Sequence, residues 1–233
     1  LPIIYSNNQI NQFDHKRLHK ENNTMNIGLV QRNIAPWDKW SGGSEDQLKT
    51  MMKYTDNLLD STKKLDLVIW PETSILYLNT RFNIYHDFGN LKKWVDSNNI
   101  ALLSGLVDIV IYEKGEATSI SKQMFFDGKN VNYDNFNSAI LLDSEGYQIY
   151  HKMKLTPFGE RVPHVEIFTL LTKLIDWGVG ISFWGKGTEQ KHLFMDKSTI
   201  RIAPMICIES IYHSFIKDFS YNGDNLFTVM TND

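Results

Sequence analysis

The sequence has a single cysteine, Cys207, so no disulfide can close within the chain and pairing says nothing of the redox compartment. Neither sign of charge dominates. With 24 basic and 27 acidic residues the formal net charge is −3, which leaves no basic footprint for nucleic acid. No apolar run reaches the ~18–20 residues of a membrane-spanning helix. The start, Leu1-Pro2-Ile3-Ile4-Tyr5, lacks the basic region and cleavage site of a signal peptide. There is no H-E-x-x-H pair and no glycine-rich phosphate loop, so neither a metal nor a nucleotide cofactor is expected. What remains is ordinary globular material: 42% hydrophobic and 22% charged in 233 residues, without repeat or linker. One α/β domain is expected.

Along the chain, Leu1 to Tyr5 reads as a short strand, and Asn7 to Asn26 as a solvated polar segment. Ile27 to Gln31 is a strand candidate whose continuous hydrophobicity predicts burial on both faces. Ser44-Glu45-Asp46-Gln47 has the form of a capping box. It opens a helix to about Lys63 with Leu48, Met51, Met52, Thr55, Leu58 and Leu59 inward. Leu65 to Trp70 is a strand stopped by Pro71, Phe88 to Ser97 a helix, and Ile100 to Val107 a strand. Strands are expected at Gln123 to Phe126 and Ser138 to Leu142, with a polar loop between, then a hairpin turn at Ser144-Glu145-Gly146. Arg201 to Ile206 is a strand ending on Cys207, Glu209 to Phe219 a helix, and Leu226 to Met230 a last strand. Alternating strands and helices indicate a βαβ-type sheet.

Three strand ends stop on chemically useful residues: Glu72 after Trp70-Pro71, Lys152 after Tyr150-His151, and Cys207 before Ile208-Glu209. A thiol needs a base to become a nucleophile at neutral pH. A carboxylate can take its proton and return it, and an ammonium with backbone N–H groups can stabilise a carbonyl oxyanion. A parallel sheet would bring such ends together despite their distance in sequence. Each residue also has a plain reading: a buried apolar cysteine, a turn glutamate, a solvated lysine, and Glu160 and Glu209 as capping or ion-pair carboxylates.

Trp70-Pro71-Glu72, Tyr150-His151-Lys152, Pro157-Phe158-Gly159-Glu160-Arg161-Val162-Pro163 and Ile206-Cys207-Ile208-Glu209 together resemble the carbon–nitrogen hydrolase (nitrilase) superfamily. More narrowly they resemble the extracytoplasmic domain of its apolipoprotein N-acyltransferase branch. Ile27 to Gln31 with Asn33-Ile34 and Lys39-Trp40, Ser104-Gly105-Leu106, Asn137-Ser138-Ala139 and Thr231-Asn232-Asp233 fall in similar order. The resemblance covers residues 26–233. It implies a single-domain α-β-β-α sandwich, with 1–25 as a strand and connecting segment and 26–233 as a domain incomplete at its C-terminal end. It further implies Glu72 as general base, Cys207 as nucleophile, Lys152 as the oxyanion's cation, and Glu160 as the group that orients or tunes Lys152. Ile208 (through its backbone N–H), Glu209, Phe158 and Trp177 would face the substrate. Ile208 stands where the branch more often has tyrosine, which puts a side-chain contact in doubt rather than the mechanism.

The implied reaction passes an acyl chain from a phospholipid to Cys207 and then to the amine of a diacylglyceryl-cysteine lipoprotein. It would take place at the bacterial inner membrane on the periplasmic side, without cofactor, with membrane helices supplied by segments outside this chain. Val165 to Trp184, aromatic and glycine-spotted, is either core or a lid over the acyl site. Two other functions stay open: a soluble amidase with the same triad, and a non-catalytic interaction domain.

Overall fold

The computed structural model describes residues 5–7, 24–32, 43–62, 64–78, 86–113, 115–118, 121–157, 159–160, 184–195 and 198–232. Its strands are β1 (Ile27–Leu29), β2 (Leu67–Ile69), β3 (Ile75–Leu78), β4 (Ala101–Tyr112), β5 (Lys122–Phe126), β6 (Lys129–Asp143), β7 (Gly146–His151), β8 (Leu193–Phe194), β9 (Arg201–Ile206) and β10 (Leu226–Met230). The helices are α1 (Ser44–Ser61), α2 (His86–Asn98) and α3 (His213–Tyr221), with a 3-10 turn at Cys207–Ile211. A seven-stranded mixed sheet runs β1-β2-β4-β6-β5, with β3 also on β4 and β7 also on β6. A second sheet of three strands runs β10-β9-β8.

Alternation along the strands divides the core in two. Val68, Leu102, Ile140 and Leu142 pack under α1 and α2, against Leu48, Met51, Leu91 and Val95. Leu67, Leu103, Ala139, Leu141 and Tyr150 face the other way, onto Ile202, Ala203, Met205 and Ile206 of β9 and Phe215 and Phe219 of α3. Thr55 belongs in the apolar stripe of α1 because its hydroxyl accepts the indole N–H of the fully buried Trp70 at 2.9 Å. That pairing removes the cost of burying both polar groups.

Several sequence expectations change. Tyr5 belongs to a short helical turn, while residues 1–4 and most of the polar segment lie outside the described residues. β1 is not buried on both faces: it lies at the edge of its sheet, with Leu29 72% exposed. The capping box does not form, since Gly43 precedes the helix with no side-chain cap. Gln47 instead reaches across to donate to the Thr73 carbonyl at 3.2 Å. The polar stretch before Ser138 is strand, not loop, because β6 is 15 residues long and paired on both sides. β3 and β8 carried too little pattern to be expected from the sequence. The last helix is broken at Tyr212 between the 3-10 turn and α3. The segment Val165 to Trp184, apart from Trp184, lies outside the described residues, so neither the core nor the lid reading is tested.

Candidate active site

Glu72 sits in the turn that follows β2. The neighbouring Thr73 has φ +50°, and the turn is held from three directions. Gly105 donates its N–H to the Pro71 carbonyl at 3.2 Å, the Ser74 hydroxyl donates to the same carbonyl at 2.8 Å, and Gln47 holds the Thr73 carbonyl. Gly105 has to be glycine: a Cβ there would lie 2.5 Å from the Cα of Glu72 and 2.5 Å from the Thr73 nitrogen.

Lys152 follows β7 and is 1% exposed. Its backbone N–H donates to the Asn137 carbonyl at 2.8 Å, continuing the β6–β7 pairing. Its ammonium lies 2.9 and 3.0 Å from the two oxygens of Glu160 and 3.4 Å from Oε1 of Glu72. Burial disfavours that charge, but Glu72, Glu160 and Cys207 together outweigh it and hold the lysine pKa above its usual value. For Glu160 burial pushes upward. Lys152, the Thr156 N–H at 2.8 Å and Asn137 reverse the direction and leave its carboxyl below the usual range.

Cys207 ends β9 and opens the 3-10 turn with φ +50°. A non-glycine residue in that region is uncommon and strained, and such strain gathers at functional sites. The thiol is half-buried, and as a thiolate it would favour the charged form of Lys152.

Glu209 is not where a substrate would touch it, contrary to the sequence expectation. It is 0% exposed, and its carboxylate accepts four hydrogen bonds. Oε1 takes the Tyr150 hydroxyl at 2.6 Å and the N–H groups of Met153 at 2.7 Å and Lys154 at 3.1 Å, and Oε2 takes the Ile206 N–H at 2.9 Å. Glu209 thus ties the loop carrying Lys152 to the residue before Cys207, across the two sheets. Burial is the largest influence on it and raises its pKa, with those four donors pulling the other way. It also raises the Tyr150 hydroxyl, which faces the carboxylate from an equally buried position.

Ile208 is half-buried beside Cys207, and Phe158 and Trp177 lie outside the described residues. Asn137, to which sequence reasoning gave no role, lies at the centre: its side-chain N–H₂ donates to Glu72 Oε1 at 2.7 Å and to Glu160 Oε1 at 2.6 Å. Its only signal in the sequence was its place in the Asn137-Ser138-Ala139 segment. His15 and His19 stand four apart, a spacing helical metal sites use, and also lie outside the described residues. Among the described residues no group of three or more His, Cys, Asp or Glu could hold a metal.

His151, the last residue of β7, and Lys152, which follows it, serve opposite faces. Lys152 points with Asn137 toward the second sheet. His151 points into a cavity of ≈ 390 Å³ on the helix side, stacked on Phe136 at 4.3 Å and paired with Asp108 at 2.8 Å. The site therefore draws on β2, β6 and β7 of one sheet and β9 of the other, not on one parallel sheet. A carboxylate, an ammonium and a thiol so placed are the parts of nucleophilic acyl transfer.

Solved structures share this arrangement of sheets. An amidase from Nesterenkonia sp. AN1 superposes with TM-score 0.54 at 14% identity, over 89% of this chain and 67% of that one. Nit3 of Saccharomyces cerevisiae, described as a member of branch 10 of the nitrilase superfamily, gives 0.57 at 10% identity, over 89% and 64%. At such identities the likeness concerns the fold. Sequence relatives go further. The apolipoprotein N-acyltransferase of Chlorobaculum tepidum is 34% identical over all of this chain and 43% of its own length. That of Pseudomonas aeruginosa (strain PAO1) is 27% identical over 92% of this chain and 37% of its own length. The chain thus spans less than half the length of these curated relatives. The family model for carbon–nitrogen hydrolases matches residues 26–233, a stretch that holds both sheets and every group just placed around Lys152, and the chain belongs to that family.

Proposed function

We propose that the chain is the catalytic domain of an apolipoprotein N-acyltransferase and passes an acyl group through a thioester on Cys207. The observation that carries this reading is the identity of 34% along the whole chain to a protein of that name. The geometry around Lys152 supplies chemistry that fits it. In the first half-reaction Glu72 takes the Sγ proton of Cys207, and the sulfur attacks the ester carbonyl of a phospholipid. Negative charge on the carbonyl oxygen is met by the Lys152 ammonium and the Ile208 N–H. The C–O bond breaks, Glu72 returns the proton to the departing oxygen, and a lysophospholipid leaves. In the second half the α-amine of a diacylglyceryl-cysteine polypeptide attacks the thioester. The C–N bond forms, the C–S bond breaks, and the amine's proton passes through Glu72 back to sulfur. Glu160 keeps Lys152 charged through both halves.

Both substrates of this reading are lipids. Among the described residues no helix is long and apolar enough to cross a membrane, so contact with the bilayer is assigned to segments beyond those described, and the periplasmic face to the same reading. The decisive measurement is intact mass spectrometry of the full-length protein after incubation with a defined phospholipid. The expected outcome is a gain of one acyl chain, removed by neutral hydroxylamine and absent from Cys207→Ala. A folded protein whose Cys207 alkylates readily yet gains no acyl mass would overturn the proposal in favour of a small-amide hydrolase.

A further inference from the structure

We infer that Lys154 is a specificity residue of this reaction: its ammonium takes the phosphate of the donor phospholipid while the ester lies on Cys207, and so tells the donor from the acceptor's own phosphate-free esters. The inference rests on the acyl-transfer reading and adds to it the group by which the first substrate is recognised.

Lys154 is the second cation of the loop that carries Lys152, and the two half-reactions give it no part. Its backbone is fixed beside the nucleophile. The N–H donates to Glu209 Oε1 at 3.1 Å, while Glu209 Oε2 accepts the N–H of Ile206, the residue before Cys207. The half-buried side chain ends at the far end of the 3-10 turn that Cys207 opens. There the ammonium lies 5.7 Å from the centre of the Tyr212 ring and 5.9 Å from that of Phe215. Phe215 is buried and Tyr212 is 37% exposed, so the cation stands where the core meets solvent. Ring faces attract a cation through their quadrupole. Unlike Lys152, which is held by carboxylates, Lys154 is held among the described residues by rings alone. Its N–H groups are left for an acceptor from outside, and a phosphate oxygen is a strong one.

The spacing suits such a ligand. The five residues Cys207–Ile211 rise about 2.0 Å each in a 3-10 helix, which puts Tyr212 about 10 Å beyond the start of the turn. In a glycerophospholipid the outer ester carbonyl and the phosphorus are separated by about six bonds of roughly 1.5 Å. A hydrogen bond from a phosphate oxygen adds about 3 Å. The ester can therefore lie on the sulfur while the phosphate meets Lys154. Discrimination of this kind is needed because a diacylglyceryl-cysteine also carries acyl esters on a glycerol. An attack on those would strip the acceptor. A cation that must be met by phosphate rejects them by leaving its charge unpaired.

The test uses the full-length protein in uncharged detergent micelles, with dioleoylphosphatidylglycerol and dioleoylglycerol as acyl donors that differ in the phosphate-bearing headgroup. Acylation of Cys207 is followed by mass spectrometry in the parent, Lys154→Gln and Lys154→Arg. For Lys154→Gln the phosphatidylglycerol concentration at half-saturation rises about tenfold or more, the loss expected for one charge-assisted hydrogen bond, with little change in the maximal rate. The ratio of the rates with the two lipids falls by the same factor, and Lys154→Arg restores both. A ratio in Lys154→Gln within about twofold of the parent overturns the inference. So does an equal loss with both lipids, which would make Lys154 a support for Tyr212 and the turn. If Lys154→Gln melts early, the ratio still decides, because both rates come from one folded protein. If the parent takes no acyl group, protection of Cys207 from iodoacetamide is read instead. Protection by phosphatidylglycerol that Lys154→Gln loses supports phosphate recognition and sinks the acyl-transfer reading. Protection that Lys154→Gln keeps, or no protection at all, overturns the inference. Equal protection by inorganic phosphate assigns the site to the free ion and overturns it too.

Discussion

A lysine at 1% exposure is tolerated only where opposite charge surrounds it, and Lys152 meets that condition through two glutamates and not one. The two shifts act on stability at opposite ends of the pH scale. The raised Lys152 contributes fully below the unfolded lysine value of ~10.4, and this contribution is lost as pH rises through the folded value. The lowered Glu160 contributes above ~4.3, and this is lost as pH falls through its folded value. Lys152→Met leaves buried carboxylates with no cation and should cost ~3–5 kcal/mol near neutral pH, about 10 °C of melting temperature for a domain this size. Without the lysine, burial dominates at Glu160 and its folded pKa rises above the unfolded one. The folded variant then binds a proton that the unfolded chain does not, and it gains stability as pH falls. Melting curves at about pH 5 and pH 8 should show the gap to the parent narrowing at the lower pH. An equal gap at both would mean that Lys152 is held by packing and not by its charge.

At the scale of elements, the site depends on how closely β4 approaches the turn after β2. Gly105→Ala places a methyl 2.5 Å from the backbone of Glu72 and Thr73. The turn must move, and Glu72 with it. We expect at least a ~100-fold loss of Cys207 acylation, because a misplacement of about an ångström costs that much, while far-ultraviolet circular dichroism stays unchanged. Full activity in that variant would show that the turn can shift without carrying Glu72 along. This dependence was hidden in the sequence, where Ser104-Gly105-Leu106 lies far from Trp70-Pro71-Glu72 and only the parallel β2–β4 register joins them. The strand ends themselves were legible: the stops at Pro71, Lys152 and Cys207 stand where expected, and so does the inward face of α1. Asn137 was not legible, since Asn130 to Asn137 is rich in residues disfavoured in strands. It is strand because β4 and β5 pair with it from either side, a tertiary gain that no local pattern reports. Gln47 misled for a similar reason: a sequence shows that a side chain can cap a helix, not that a turn 26 residues away offers it a buried carbonyl.

At the scale of the whole molecule, two sheets of unequal completeness enclose the site. Among the described residues β10 is paired only with β9, and its outward residues Phe227 and Val229 are 41% and 49% exposed. An open edge with apolar side chains favours pairing between chains. The 233-residue chain on its own should self-associate at tens of micromolar, and Val229→Lys should return it to monomer without lowering its melting temperature. Sedimentation velocity checks this, and a monomeric parent at those concentrations would refute it. The alternation in β7 has a different consequence, which concerns what changes the gene can tolerate. Neighbouring residues put an imidazole into the cavity on one side of the sheet and an ammonium among the carboxylates on the other. Losing one codon between Gly146 and His151 would carry Lys152 into the place of His151, against Asp108, and gaining one would carry His151 into the place of Lys152, against Glu72 and Glu160. Side chains along β7 can drift one at a time, but a change of its length by an odd number of residues turns Lys152 to the wrong face.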